Sequence, residues 1–406
     1  MNIRKTGLTI LLTCWLLLSA CEFPGYRGAE EASLPAVTST PRPTREPTMP
    51  TDTPAATTQT DNQEPTQEPT PEPVPEEPAV IPIGIDNVEQ LAVSTRIETG
   101  MKTIIAALDL SKDGRYLAIS QWGDPEVDVR LWDFQEAQLL PPLDFHTAIV
   151  TDVAFSPDGE WLASCSQNGE VALWDVGSWE LARSFSSYER GASALAFSPD
   201  GSLLAVGGQR NQLGVWRLAD FERVNYFEQS NPFKVEKIVF TADGSRYFAD
   251  TGYADVTVWN TADGELVKSF RGEACIGGFD LSSDEFRLAY SSECSDAHEP
   301  HDPLARVAVR DVESGEALVY GDRKEDSTIL VYTVDDTLII TNNRNRLRFW
   351  DAADGSLVYQ LPTGVYYVEF MLSDDGSVLI VGGGNGDISV YEVESPQGEP
   401  PVLPNV

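Results

Sequence analysis

The feature that most constrains this chain is a repeat of about forty-two residues. Three copies are nearly literal: Val153-Ala-Phe-Ser-Pro-Asp-Gly159 running on to Leu173-Trp-Asp-Val176, Leu195-Ala-Phe-Ser-Pro-Asp-Gly201 to Val215-Trp-Arg-Leu218, and Leu108-Asp-Leu-Ser-Lys-Asp-Gly114 to Leu131-Trp-Asp-Phe134. Each copy alternates apolar and polar residues in short runs broken by Asp-Gly turns, which specifies short antiparallel strands. In the second copy the strands are expected at Val150–Ser156, Trp161–Ser166, Glu170–Val176 and Glu180–Phe185. One such unit cannot bury both of its faces alone, and a period of forty to forty-five residues is that of propeller blades.

The third-strand aromatic recurs at Trp132, Trp174, Trp216, Trp259, Arg310, Trp350 and Tyr391, with gaps of 42, 42, 43, 51, 40 and 41 residues. That makes seven units. The last, from Tyr366 to Val393, has room for only three strands, and a spare strand-like segment lies at residues 90–98 ahead of the first. The expected fold is therefore an all-β, seven-bladed propeller of four-stranded antiparallel blades over residues 85–395. The N-terminal strand completes the last blade, which removes free sheet edges from the ring.

Those residues resemble the Trp-Asp (WD) repeat family, and the resemblance covers roughly residues 88–394. Phe145-His146-Thr147, Asn168 and Trp174-Asp175 look like a family blade in which His, a turn Asp or Asn, Ser and Trp form an internal hydrogen-bond set. Other blades depart from it: Arg217 and Asn260 follow Trp216 and Trp259, and Arg310 stands where Trp is expected. The Trp and Asp residues are read as structural. The resemblance also implies that loops between the second and third strands, with those between blades, meet protein partners. Here they present Trp122, Phe145, Tyr188, Arg190, Arg210, Phe233, Tyr253, Arg344 and Tyr366, and aromatics with Arg are the side chains enriched at interface hot spots.

Residues 1–20 read as a targeting segment. Arg4 and Lys5 precede an apolar run from Leu8 to Leu18, too short to span a bilayer, which takes about 20 residues. The run closes on Leu18-Ser19-Ala20-Cys21, which resembles the lipobox of bacterial lipoproteins and implies cleavage before Cys21 and acylation of that residue. Several acyl chains anchor stably where one does not. An ordinary secretory signal with a chance cysteine, or an uncleaved signal anchor, is the alternative. Between Thr38 and Pro78, 11 prolines and 11 threonines fill 41 residues. Such a composition cannot offset its ordering entropy by burial, so residues 21–84 are expected to form a disordered tether. At about 3.1 Å per residue it could reach on the order of 100 Å. Residues 396–406 read as a disordered tail. The expected location is the extracytoplasmic side of a bacterial membrane, with the lipid anchor as the only membrane contact and a monomeric propeller.

The formal net charge is −36, of which −30 falls on residues 85–406. That argues against a nucleic-acid reader, which needs a concentrated basic face, and equally against docking on anionic lipid head groups. No nucleophile elbow, phosphate loop or His-Glu-x-x-His helix is present, so no enzymatic activity and no cofactor is expected. Cys165 is expected as a buried free thiol, while Cys275 and Cys294 flank a hairpin and are compatible with a disulfide in an oxidising compartment. The fifth unit carries about nine extra residues holding Asp296, His298, Glu299, His301 and Asp302. These are side chains that suit a divalent metal, though a solvated polar insertion explains them equally. The functional expectation is a membrane-anchored protein-binding scaffold. A small-ligand or glycan sensor is the alternative, and a metal-dependent hydrolase a weaker one.

Overall fold

A computed structural model describes residues 80–394, apart from 101–102, 123–128, 229–232, 252–254, 272–275, 293–306, 321–328, 344 and 366–368. It contains seven four-stranded antiparallel sheets, six of them meanders of consecutive strands. Blade 1 is β2 (Ile105–Leu110), β3 (Tyr116–Gln121), β4 (Arg130–Asp133) and β5 (Gln138–Leu139). Blade 2 is β6 (Val150–Phe155), β7 (Trp161–Ser166), β8 (Glu170–Asp175) and β9 (Leu181–Ser186), within a residue or two of the sequence expectation. Blade 3 comprises β10 (Ala192–Phe197), β11 (Leu203–Gly208), β12 (Gln212–Arg217) and β13 (Arg223–Glu228). Blade 4 comprises β14 (Ile238–Phe240), β15 (Arg246–Asp250), β16 (Asp255–Asn260) and β17 (Leu266–Arg271). Blade 5 has β18 (Ile276–Leu281), β19 (Arg287–Ser292), β20 (Val307–Asp311) and β21 (Ala317–Tyr320). Blade 6 has β22 (Leu330–Tyr332), β23 (Leu338–Asn343), β24 (Arg346–Asp351) and β25 (Leu357–Pro362).

Blade 7 holds β26 (Glu369–Leu372), β27 (Val378–Gly382) and β28 (Ile388–Val393), and its fourth strand is β1 (Leu91–Ile97). Leu91 pairs with Val393 and Ile97 with Ile388, so the N-terminal strand closes the ring as expected. Ahead of it, Ile83 and Val88 are fully buried in the apolar cluster between blades 6 and 7. Ile83 N–H donates to the Gly376 carbonyl in blade 7, and Ile85 N–H to Thr337 Oγ1 in blade 6. The entering chain thus seals the blade 6–7 interface.

The core is not one mass but a ring of clusters, each shared by two adjacent blades. That follows from the pattern: both faces of a middle strand are buried, as in β7 (Trp161–Ser166), because each face packs on a neighbour, and the serines it carries are hydrogen-bonded.

The first hairpin of every blade uses one device. Ser111, Ser156, Ser198, Thr241, Ser282, Thr333 and Ser373 each donate from the hydroxyl to the aspartate two residues on, at 2.5–2.7 Å. Each hydroxyl oxygen also accepts the backbone N–H five residues on, at 2.8–3.1 Å. This turn locks strand register with local side-chain bonds. The next position needs a positive φ and is glycine in five blades. In blades 5 and 6 it is Glu285 (φ 61°) and Asp336 (φ 58°). Both reach back to the preceding blade: Glu285 accepts from Ala242 N–H, and Asp336 accepts from the backbone N–H and hydroxyl of Ser283. The strained backbone there accompanies a bond between blades.

Candidate functional site

The third-strand position holds the residues expected, at one register: Trp132 opposite Leu117, Trp174 opposite Leu162, Trp216 opposite Leu204, Trp259 opposite Tyr247, Arg310 opposite Leu288, Trp350 opposite Ile339 and Tyr391 opposite Leu379. In blade 2, Trp174 Nε1–H donates to Ser164 Oγ at 3.0 Å, and His146 Nε2 lies 2.7 Å from the same oxygen. Burial pushes His146 down to about 4, so the imidazole is neutral at pH 7. Asn168 is not part of this set. It accepts from Ser166 Oγ and donates to Thr147 Oγ1 and Glu170 Oε2, which draws it into the turn after β7. His146 Nδ1 is left without a hydrogen-bond partner.

The residue at the position of Ser164 accounts for blades 1, 5 and 6, whereas in blade 4 Trp259 Nε1–H donates to Thr257 Oγ1 on its own strand at 3.0 Å. Thr341 takes the Ser164 position in blade 6 and accepts from Trp350 Nε1–H at 2.9 Å. Ile119 takes it in blade 1, and Trp132 Nε1 is unpartnered there. In blade 5 Tyr290 takes it, and Arg310 Nε–H donates to the Tyr290 hydroxyl at 2.9 Å, with the guanidinium 5.6 Å from the ring centroid. Arg310 is thus the counterpart of a larger partner, the Ser/Trp pair exchanged for Tyr/Arg. These residues pack the interior of each blade and orient its strands.

The loops between second and third strands, and between blades, lie at the end of the propeller opposite the Ser-x-Asp turns. Three of them are stitched together around blade 3. Gln209 N–H donates to the Gly191 carbonyl (3.2 Å), Asn211 N–H to the Phe233 carbonyl (2.6 Å) and Val235 N–H to the Gly208 carbonyl (3.1 Å). Arg210 and Asn211 have φ of 58° and 57°, both positive as in a two-residue type I′ turn. Asn211 is fully buried, and its side-chain amide donates to the Thr251 carbonyl.

Arg190, Arg210 and Phe233 are therefore brought together on one exposed surface of hydrogen-bonded loops, with Phe233 38% accessible. Tyr188 is different from what its loop position suggests. It is buried beneath this surface, its hydroxyl donating to the Val206 carbonyl at 2.8 Å and its ring 5.9 Å from that of Trp216. A Cβ on Gly208 would sit 2.4 Å from the Tyr188 ring, so only glycine fits under it. Trp122 is exposed (43%) on blade 1, and Phe145 is half-buried against His146 and Trp174. Tyr253, Arg344 and Tyr366 lie outside the described residues. So do Cys21, the Cys275 and Cys294 pair, and Asp296, His298, Glu299, His301 and Asp302. Cys165 is a buried free thiol on β7. Among the described residues, no three His, Cys, Asp or Glu are grouped so as to hold a metal ion.

Sequence reading did not single out the charged residues of the inner strands, which ring the central channel. Asp109 of blade 1 accepts from Phe155 N–H of blade 2 (2.5 Å), and Asp280 of blade 5 from Tyr332 N–H of blade 6 (3.0 Å). Both aspartates stand two residues before the turn Ser, so one construction is used twice. Asp152 of blade 2 accepts from Leu195 N–H of blade 3 at 2.7 Å. Lys237 and Glu369 occupy the position of Asp152 in blades 4 and 7, four residues before the turn hydroxyl. Lys237 Nζ lies 3.5 Å from Asp280 Oδ1 and 3.3 Å from the Leu330 carbonyl, tying blade 4 to blades 5 and 6.

These carboxylates keep some accessible area because they line a channel, yet they have little compensating charge. Burial pushes Asp109 and Asp152 up to about 7, against the backbone N–H bonds they accept. Glu369 rises to about 8 through burial and the nearby Asp152, partly offset by Lys237. Their legible signal was a charge within an apolar strand, as in Leu108-Asp109-Leu110 and Phe279-Asp280-Leu281.

The WD domain, G-beta repeat family matches this chain at residues 138–175 and 179–217. Each match runs from the outer strand of one blade through the third strand of the next, one strand out of phase with the sheets. No curated protein matches the chain. With seven four-stranded blades and these repeats, the protein is a WD-repeat β-propeller. Propellers of this family are generally protein-interaction scaffolds and typically non-catalytic.

Proposed function

We propose that this protein is a membrane-anchored, extracytoplasmic scaffold that binds a protein partner through the loop end of its propeller. The observation that carries this is the exposed loop surface of Arg190, Arg210 and Phe233, whose backbones are already hydrogen-bonded to one another across three loops. A pre-organised surface loses little side-chain or loop entropy on association. Chain direction supports the same reading. β1 (Leu91–Ile97) starts and β28 (Ile388–Val393) ends at the turn end, where Glu394 N–H meets the Gln90 carbonyl. The described chain therefore enters and leaves the ring at the end opposite the loops. A lipid on Cys21 and the Thr/Pro-rich stretch after it would hold the propeller away from a membrane with its loops accessible.

Two experiments test this. Cell fractionation of wild type against Cys21→Ala should move the protein from the membrane to the soluble fraction; an unchanged membrane pool would remove the anchor. Affinity purification of the full-length protein should recover one stoichiometric partner protein, and Trp122→Ala or Arg210→Ala should reduce it without lowering the melting temperature. A specific small molecule that saturably raises the melting temperature, with no protein partner, would favour a sensor using the Asp152, Lys237 and Glu369 level of the channel.

A further inference from the structure

The propeller's negative charge is unevenly spread. Residues 183–271, from the outer strand of blade 2 through blade 4, carry 11 acidic and 10 basic side chains, whereas the rest of residues 85–406 carries 42 acidic and 13 basic. Blades 3 and 4 form a charge-balanced sector on an otherwise strongly acidic ring. Within that sector the loop end presents Arg190 and Arg210, both exposed and both outside the ion pairs found among the described residues. Their neighbour Lys234 is already paired with Glu236 at 3.0 Å. Phe233 adds exposed apolar area beside them, on the loop bonded to Asn211.

We propose that this patch docks an acidic segment of the partner protein, its carboxylates meeting Arg190 and Arg210 and an apolar side chain meeting Phe233. The proposal rests on the scaffold reading and narrows it to one sector and one partner chemistry. Guanidinium groups suit carboxylates because the planar fork can make two parallel N–H···O bonds. Arg210 is held from below, since Asn211 is bonded to two other loops and the turn backbone is fixed. Screening confines each charge to about 8 Å at physiological ionic strength, so the patch acts locally despite the net charge. The acidic surface elsewhere repels the same segment, which selects a single docking pose by excluding others.

The test uses the full-length protein as bait against a displayed library of random short peptides. The expected result is enrichment of peptides carrying several Asp or Glu with an apolar residue. Arg190→Glu/Arg210→Glu should weaken their binding by roughly tenfold or more, and should select Lys- or Arg-rich peptides in their place. Both side chains are exposed, so the melting temperature should stay near wild type; Arg190→Gln/Arg210→Gln provides a milder second variant. Enriched peptides without acidic character, no enrichment at all, or equal binding by the charge-reversed variant would each overturn the proposal. If binding is instead lost in Trp122→Ala alone, the loop end still binds partners but the acidic assignment falls. If no loop-end change affects binding, the scaffold reading falls with it.

Discussion

Blades 2 and 3 and blades 5 and 6 reach the same geometry by different chemistry. In blades 2 and 3 the repeats are nearly literal, the turns use Gly159 and Gly201, and Asp152 latches one inner strand to the next. In blades 5 and 6 the glycine is replaced by Glu285 and Asp336, each bonded to the previous blade, and blade 5 exchanges the Ser/Trp pair for Tyr290/Arg310. Blade geometry thus depends on a filled interface and a satisfied turn, not on a particular residue at each place. A repeat can drift in sequence provided the substitutions drift together.

The largest expected effect tests that coupling. Trp350 is 1% exposed and hydrogen-bonded to Thr341, so Trp350→Ala should cost about 3–5 kcal/mol of stability by denaturant unfolding. Tyr290→Ser and Arg310→Trp should each destabilise by about 1–3 kcal/mol, one leaving a gap and Arg310 Nε–H without its acceptor, the other overpacking. The double change should recover much of that loss, because it rebuilds the pair used in blade 2. Additive losses in the double-mutant cycle would show that the two positions are independent.

A second effect, of about 1–3 kcal/mol, is expected for Gly208→Ala in blade 3, whose Cβ would collide with the Tyr188 ring. Tyr188→Ala should relieve the collision while losing the ring's own packing. If Gly208→Ala leaves the unfolding midpoint unchanged, Tyr188 is not the support beneath the loop surface.

The inner carboxylates make stability depend on pH. Burial raises Asp109 and Asp152 to about 7 and Glu369 to about 8, and it likewise raises Asp250, on the second strand of blade 4, to about 8. The folded state therefore holds these protons more tightly than the unfolded chain. Their stabilising contribution is complete below about pH 4, declines as pH rises, and is lost once pH passes about 8. Melting temperature should fall from pH 5 to pH 8.5 and the slope should shrink in Asp109→Asn. A rising melting temperature over that window would mean that these groups are ionised and well paired.

The smallest effect on stability belongs to the loop surface. Arg190→Ala and Arg210→Ala should change unfolding free energy by less than about 0.5 kcal/mol while reducing partner binding. That contrast with Gly208→Ala separates a working surface from its support.

Much of the architecture was legible in the chain. A period near forty-two placed all seven third-strand positions, and the spare segment before the first repeat marked the closing strand. Local signals suffice there, because turn residues and alternation are read within one blade. What stayed hidden depends on the neighbour. Tyr188 looks like an exposed loop aromatic until glycines at 208 and 214 leave room for its ring. Asn168 looks like a member of the His146 set until Ser166 claims it. The latches of Asp109, Asp152 and Asp280 link residues 43–52 positions apart, so they exist only once adjacent blades meet.

The most direct test of the central claim places a photocrosslinking residue at Arg210 on the loop end, or at Asp158 on the turn end, in the full-length protein in its native cells. The account predicts one discrete crosslinked protein from position 210 and none from 158. Crosslinks from 158 alone, or none from either position, would contradict it.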